Sequence, residues 1–448
     1  MSRNRVIVLG AGFSAPAGIP TQQRLLNEIM GITETKGFLE EEPIFSKKYL
    51  HSFIRIGIFL LENYSVNNID DLKGKYQSIL DFEKNAKAKI EYIEETMNFF
   101  ESKYLVNLEI PNNTKELSVE GIEIYDEIIK KLSLDKSKLE AFTVDYLTKL
   151  MDLKRIISTK MEEAKLEVDL EDVFTNFDKS IKTKANLGAY NYIQIEQLRN
   201  DLLKIFIFHF ASALKGLDCS KYQSFIKSIK GKENISVISL NWDLVLEQLF
   251  KANGINYDSC LAKSYWCSDS NKSSNRGSKN VCLYKLHGSI NWLKCHNCGK
   301  INIIKRANLQ ETSLFDDSKD DKCLACKKID KKSETLLQAE IITPTMIKAL
   351  ENQLYQNIWA GAARAISNAD EIIFIGYSLP SADFDFRYLL KNNISKNCKI
   401  KVILAPNDKP KKANQYINPE VRYKKLFFNI VNNITFEYKG VEKAKFNV

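Results

Sequence analysis

Two cysteine pairs, Cys295-x-x-Cys298 and Cys323-x-x-Cys326, constrain this chain more than any other feature. Thiolates at this spacing grip one face of a tetrahedral ion, so two such pairs predict one zinc site that folds residues 290–330 into a ribbon. Four thiolates fill the coordination sphere and leave no position for water or substrate, which predicts a structural metal rather than a catalytic one. His296, inside the first knuckle, is expected at the surface. The other cysteines, Cys219, Cys260, Cys267, Cys282 and Cys398, are scattered and odd in number. That usage fits a reducing cytoplasm rather than a disulfide framework.

The cysteine module interrupts a series of short apolar runs: Arg5–Leu9, Ile235–Leu240, Val281–Leu286, Glu340–Thr343, Ile372–Ile375 and Lys399–Leu404. Runs of this length without alternation suit strands buried on both faces, and together they predict a doubly wound parallel α/β sheet. Thr21 is a candidate cap for a helix over Gln22–Met30. Between the first and second runs the chain becomes rich in Lys, Glu, Asn and Ile, and its apolar residues recur at helical spacing. Ile93, Met97, Phe100 and Tyr104 make one stripe. Tyr146, Leu150, Leu153 and Ile157 make another, and Ile195, Leu198, Leu202, Ile205 and His209 a third. The expected organisation is a sheet domain from residues 1–37 and 215–448, with a helical insertion over 38–214.

Charge and hydropathy exclude some partners. The net charge of +9 is spread along the chain with no basic stripe carrying interleaved aromatics, so nucleic acid is not expected as a direct ligand. No apolar run approaches membrane-spanning length, and the one near the start breaks at Gly10-Ala-Gly12. The expectation is a cytoplasmic protein without membrane association.

The strand ends carry the chemistry. Gly10-Ala-Gly12-Phe-Ser14-Ala15 after the first strand fits a G-x-G-x-x-G/A dinucleotide fingerprint, in which glycines let backbone approach a pyrophosphate. A tight strand-to-helix turn without a ligand would read the same way. The acidic residue usual about twenty positions on is not evident. Ser239-Leu-Asn241-Trp-Asp243 follows the second run, where Asp243 is either a helix cap or a site residue. His287 ends the third run before Gly288. Gly376-Tyr-Ser378-Leu-Pro380 ends the fifth, its glycine and hydroxyl suited to ribose or phosphate and its Pro380 and Asp383 to a turn and a cap. Asp383 and Arg387 also have ion-pair spacing on a helix. Asn407 follows the last run. Small or polar residues at so many strand ends predict a crevice for an extended dinucleotide.

In this order the motifs resemble the sirtuin family: Gly10-Ala-Gly12-x-Ser14, Gly18-Ile-Pro20, Asn241-x-Asp243, Leu286-His287-Gly288, the two cysteine pairs and Gly376-x-Ser378-Leu379. The resemblance covers about Arg5–Gln23 and residues 231–408. It implies a Rossmann-like domain with a zinc ribbon that binds NAD and breaks its nicotinamide glycosidic bond. On that basis Asn241 orients water or the nicotinamide ribose, Asp243 contacts the nicotinamide amide, and His287 is the base on a ribose hydroxyl. Gly10, Ala11, Gly12, Ser14, Pro20, Gly376, Ser378 and Asn407 line the dinucleotide. Deacylating sirtuins follow Gly-Ile-Pro with an acidic-aromatic-arginine triplet, whereas this chain has Thr21-Gln22-Gln23. That departure and the long insertion resemble divergent bacterial sirtuin-like NAD hydrolases of antiphage defence. The resemblance therefore implies an oligomeric NAD glycohydrolase working with a defence partner such as an ATPase or nuclease. A protein deacylase, or a non-catalytic NAD or ADP-ribose sensor, is the alternative. The insertion is expected to drive oligomerisation or to occlude the pocket.

Overall fold

A computed structural model describes residues 3–30, 47–65, 68–85, 145–166, 168–260, 281–295, 297–303, 323, 325–326, 337–342, 353–409, 418–431 and 433–446. The stripe at Ile93–Tyr104, His296 and Cys267 lie outside these residues. The chain divides into two compact units, Met1–Glu41 with Glu167–Val448, and Glu42–Leu166. The first unit holds the sheet. It also takes the helices Leu170–Thr183 and Tyr192–Lys215, a stretch that the sequence analysis grouped with the insertion.

The sheet has seven strands, all parallel: β1 (Arg5–Leu9), β2 (Ile235–Ser239), β3 (Tyr257–Asp258), β4 (Val281–Lys285), β8 (Glu371–Ile375), β9 (Lys399–Leu404) and β10 (Ile434–Tyr438). Their spatial order is β10-β9-β8-β1-β2-β4-β3. Val6, Ile7, Val8 and Leu9 are all buried, as expected of a central strand covered on both faces. From β1 the chain moves to β2 on one side and later returns to β8 on the other. Loops leaving β1 and β8 therefore diverge above a crevice at the carboxyl edge, the place where open α/β sheets bind ligands.

Three strands form a separate antiparallel sheet, in the order β6-β5-β7: β5 (Gly288–Cys295), β6 (Ile301–Ile303) and β7 (Leu337–Ile341). Of the run Glu340–Thr343, expected in the parallel sheet, Glu340 and Ile341 instead belong to β7, which pairs with the strand that leads into the cysteines, and Thr343 lies outside the described residues. Its apolar composition gave no warning, because burial in a small antiparallel sheet asks for the same residues. β3 and β10 were not anticipated. β3 is two exposed residues, and β10 alternates with charge (Ile-Thr-Phe-Glu-Tyr), as an edge strand does. The helix after β1 runs Gln22–Ile29 with Thr21 at its cap position, although the Thr21 side chain makes no capping bond.

The glycines of the first turn owe their identity to a neighbouring turn. Gly10 N donates to Ile375 O at 3.0 Å and Gly12 N donates to Gly376 O at 2.8 Å, so the turns after β1 and β8 lie backbone against backbone. A Cβ on Gly376 would meet Gly12 C and Phe13 N at 2.3 Å, and its φ of 62° adds conformational cost. Gly440 has a similar φ of 64° with nothing within 4 Å. Gly440→Ala should cost about 1 kcal/mol from backbone conformation alone. Gly376→Ala should cost about 3 kcal/mol, because overpacking adds to the same term. Urea denaturation of the two variants beside the parent measures the difference.

Candidate functional site

Asn241 is held by the turn after β1. Its Nδ2 donates to Gly10 O at 2.9 Å and to Ser14 Oγ at 3.0 Å. A carbonyl can only accept, so the contact with Gly10 fixes which end of the amide is nitrogen. With both N–H bonds used inside the protein, the Oδ1 carbonyl is what Asn241 has to offer a ligand. Ser14 is fully buried, and its hydroxyl also bonds the Asp243 carboxylate. Ser14 thus accepts from Asn241 and donates to Asp243, tying the two together.

Asp243 is buried and plays a structural part as well. Its Oδ1 accepts from Val245 N at 2.9 Å, the first amide of the helix Val245–Ala252, although the cap position itself is Leu244 and not Asp243. Burial pushes its carboxyl above the usual range, while Lys285 and the hydrogen bonds from Ser14 and Val245 oppose that rise. Lys285 is itself buried at the end of β4, where its Nζ donates to the Asp243 carbonyl at 2.5 Å and to Glu247 Oε1 at 2.8 Å. Sequence reasoning passed over Lys285. A lysine at the last position of an apolar strand, 38 residues from a matching glutamate, was the available signal.

His287 lies in the two-residue turn between β4 and β5, before Gly288 with φ 80°. Its Nδ1 stands 3.1 Å from Leu240 O. Because that carbonyl only accepts, Nδ1 carries the proton and Nε2 is the basic nitrogen of the neutral ring. Nε2 lies 3.8 Å from Asp383 Oδ1, across the crevice from β4. The ring therefore rests against the backbone one residue before Asn241. Two indoles brace this corner: Trp242 Nε1 donates to Ile342 O and Trp359 Nε1 to Leu286 O, each at 3.1 Å.

The turn after β8 completes the arrangement. Tyr377 is buried and its hydroxyl donates to Asp383 Oδ2 at 2.9 Å, while Ser378 O accepts from Arg422 Nε at 2.9 Å. Leu379 is buried with φ 55°, a strained conformation of the kind found at functional turns. Ala11 and Pro20 are half-buried in and beyond the first turn, and Asn407 is exposed in the turn Pro406–Asp408 after β9. Gly10 and Gly12 spend their own amides on the turn after β8, so they supply closeness rather than those two donors.

At the far end of β5, Cys295, Cys298, Cys323 and Cys326 bring four sulfurs within 4.8 Å of one another. The Cys295–Cys326 and Cys298–Cys323 separations are 3.7 and 3.6 Å. A tetrahedral ion with bonds of about 2.3 Å needs sulfurs about 3.8 Å apart, so the cluster could hold zinc. In the other unit, His51 makes hydrogen bonds to Tyr76 at 2.8 Å and Tyr146 at 2.6 Å, and Tyr146 donates to Glu83 at 2.6 Å. No sequence pattern marks this buried network, because its members are up to 95 residues apart.

The raised Asp243 carboxyl makes a stability prediction. The folded chain holds this proton more tightly than the unfolded chain, so Asp243 increasingly opposes folding as pH rises from about 3.9 through its folded value. Asp243→Asn can keep the bond from Val245 N and can donate to Ser14. It should match the parent near pH 3.5 and be more stable at neutral pH, as read from denaturant midpoints at both values.

Residues 235–425, less than half of the chain, match the family model described as a SIR2-like domain. No curated protein matches the sequence. Among solved structures, one from work on the mechanism and regulation of Sir2 enzymes is 12% identical over 94% of this chain and 92% of its own, with a TM-score of 0.28. Another, from work on sirtuin substrate affinity, is 12% identical over 98% and 91%, with a TM-score of 0.32. A third, a Sir2 protein bound to a propionylated peptide, is 16% identical over 53% and 75%, with a TM-score of 0.27. At such scores the superpositions carry no weight beside the residues themselves. The stretch from β2 into the helix Pro419–Phe427 is thus similar to a SIR2-like domain, and it lies in a chain with a parallel sheet and a four-cysteine cluster.

Proposed function

We propose that this chain is an NAD glycohydrolase, cleaving NAD to nicotinamide and ADP-ribose with water as nucleophile. The observation that carries this reading is the Asn241 amide, whose two N–H bonds go to Gly10 and Ser14. Its carbonyl can accept one proton of a water molecule and leave the water lone pair for the anomeric carbon. In the reaction the glycosidic C–N bond breaks, and its electron pair leaves with nicotinamide. The sugar carries oxocarbenium character, which a half-buried, uncharged carbonyl dipole stabilises. His287, with Nε2 as its basic nitrogen, takes the proton from a ribose hydroxyl, and the ribose oxygen so bared takes the proton that the attacking water loses as its bond to the anomeric carbon forms. Asp243 faces the nicotinamide amide, and the turns at Gly10–Ser14, Pro20, Gly376–Ser378 and Asn407 line the dinucleotide. The absence of an acidic-aromatic-arginine triplet at Thr21-Gln22-Gln23 disfavours acyl-lysine as the acceptor.

The wider setting belongs to the same proposal: a cytoplasmic, oligomeric effector that depletes NAD in antiphage defence, with a partner such as an ATPase or nuclease. The helical region over 38–214 would gate it. Among the described residues no helix is long and apolar enough to cross a membrane. Zinc, held by Cys295, Cys298, Cys323 and Cys326, would be structural.

Incubating the purified chain with NAD, with and without an acetyl-lysine peptide, tests the chemistry by chromatography of nicotinamide and ADP-ribose. Peptide-independent release is expected, reduced at least about 100-fold in Asn241→Ala and in His287→Ala. Ser14→Ala, which frees one Asn241 bond, should cost about tenfold. Release that requires peptide, yielding an acetylated ADP-ribose, would make the chain a deacylase. Binding of NAD without turnover, in the presence of partner and trigger, would make it a sensor. For the metal, elemental analysis should find one zinc per chain, and chelation should lower the melting temperature without removing NAD binding at once.

A further inference from the structure

Asp383 occupies the cap position of the helix Phe384–Asn393, yet its side chain makes no capping bond. Its carboxylate is instead clamped by the Tyr377 hydroxyl at Oδ2 and stands 3.8 Å from His287 Nε2 at Oδ1. The clamp is rigid. Tyr377 is buried, stacks on Phe374 at 6.4 Å, and its carbonyl accepts from the Tyr423 hydroxyl at 2.9 Å. A separation of 3.8 Å is too long for a hydrogen bond and within reach of an ion pair. Asp383 therefore leaves the basic nitrogen able to take a proton while standing ready to balance the charge that follows.

We propose that Asp383 is a positioning residue for His287, holding the imidazole over the crevice and stabilising the imidazolium formed when Nε2 takes a proton. The inference deepens the reading of this site as NAD-cleaving and rests on it for the identity of the proton donor. In the step, the O–H bond of a ribose hydroxyl breaks and an Nε2–H bond forms. The oxygen keeps the electron pair, the ring becomes cationic, and Asp383 remains a carboxylate throughout. Leu240 O keeps the Nδ1 proton in place on the opposite side of the ring. Other ionisable groups surround the corner. Tyr377 comes from the turn after β8 and Arg387 from the next turn of the helix. Asp243, Glu247 and Lys285 come from the β2 and β4 side. Lys285 and Glu247 pair with each other, and burial drives Asp243 toward its neutral form. Asp383 is left as the carboxylate at ion-pair distance from the ring.

The test titrates His287 directly in the full chain, by NMR of protein carrying ¹³C at histidine Cε1. The chain has four histidines, and the His287 signal is assigned by its loss in His287→Gln. Asp383→Asn keeps an acceptor for Tyr377 but removes the charge, and should lower the His287 midpoint by about one pH unit. Asp383→Glu should restore part of that loss, and Tyr377→Phe should give a smaller drop. Unchanged signals from His51 and His209, both buried elsewhere, report that each variant is folded. In NAD cleavage, the acid limb of the pH–rate profile should move down with the midpoint in Asp383→Asn, kcat should fall about tenfold, and KM should hold. An identical His287 titration in parent and Asp383→Asn would overturn the proposal whatever the activity. A shifted titration in a chain that never cleaves NAD would uphold the pair and overturn the NAD reading instead.

Discussion

The contact on which the site depends is a meeting of two backbones. The turns after β1 and β8 touch through Gly10, Gly12 and Gly376, with no side chain between them. Everything else is referenced to that contact. Asn241 takes its orientation from Gly10 and Ser14 in the first turn. Asp383 takes its own from Tyr377 in the second, and His287 lies between Leu240 and Asp383. Four loops from four parallel strands are fixed relative to one another by main-chain hydrogen bonds and short side chains. Such a frame loses little conformational entropy when a ligand arrives, which is the physical content of preorganisation.

Much of this was legible in the sequence, for a definite reason. Buried parallel strands must be continuous apolar runs, so their ends are marked wherever a polar residue first appears. Asn241 and His287 each follow such an end by two residues, after Ser239 and Lys285. The four cysteines were legible because coordination geometry imposes short spacing. What stayed hidden depended on tertiary neighbours. Asp383 reads as a helix cap because its position is that of one, and only the fold shows its carboxylate turned toward a histidine 96 positions earlier in the chain. The run at Glu340 was assigned to the wrong sheet because hydrophobicity records burial and not the partner. His51, Tyr76, Tyr146 and Glu83 gave no pattern, since nothing periodic connects them.

The site also shows how a stable fold accommodates groups that oppose stability. Asp243 and Lys285 are both buried, and Leu379 is held in a left-handed conformation. Each is costly in isolation. They persist because their partners are close and numerous: Asp243 bonds Val245 and Ser14, Lys285 bonds Glu247 and a carbonyl, and Leu379 is packed on every side. Unfavourable groups are thus concentrated at one edge of the sheet and over-determined by what surrounds them.

His287 occupies the hinge between two sheets of opposite kind. β4 ends at Lys285, and after Leu286 and His287 the chain enters β5 of the antiparallel sheet, which leads to Cys295 with an irregular register between Gly288 and Leu293. The histidine carbonyl even accepts from Ile342 N at 2.9 Å, beyond β7 on the far strand. His287 and the four sulfurs thus lie at the two ends of one eight-residue strand.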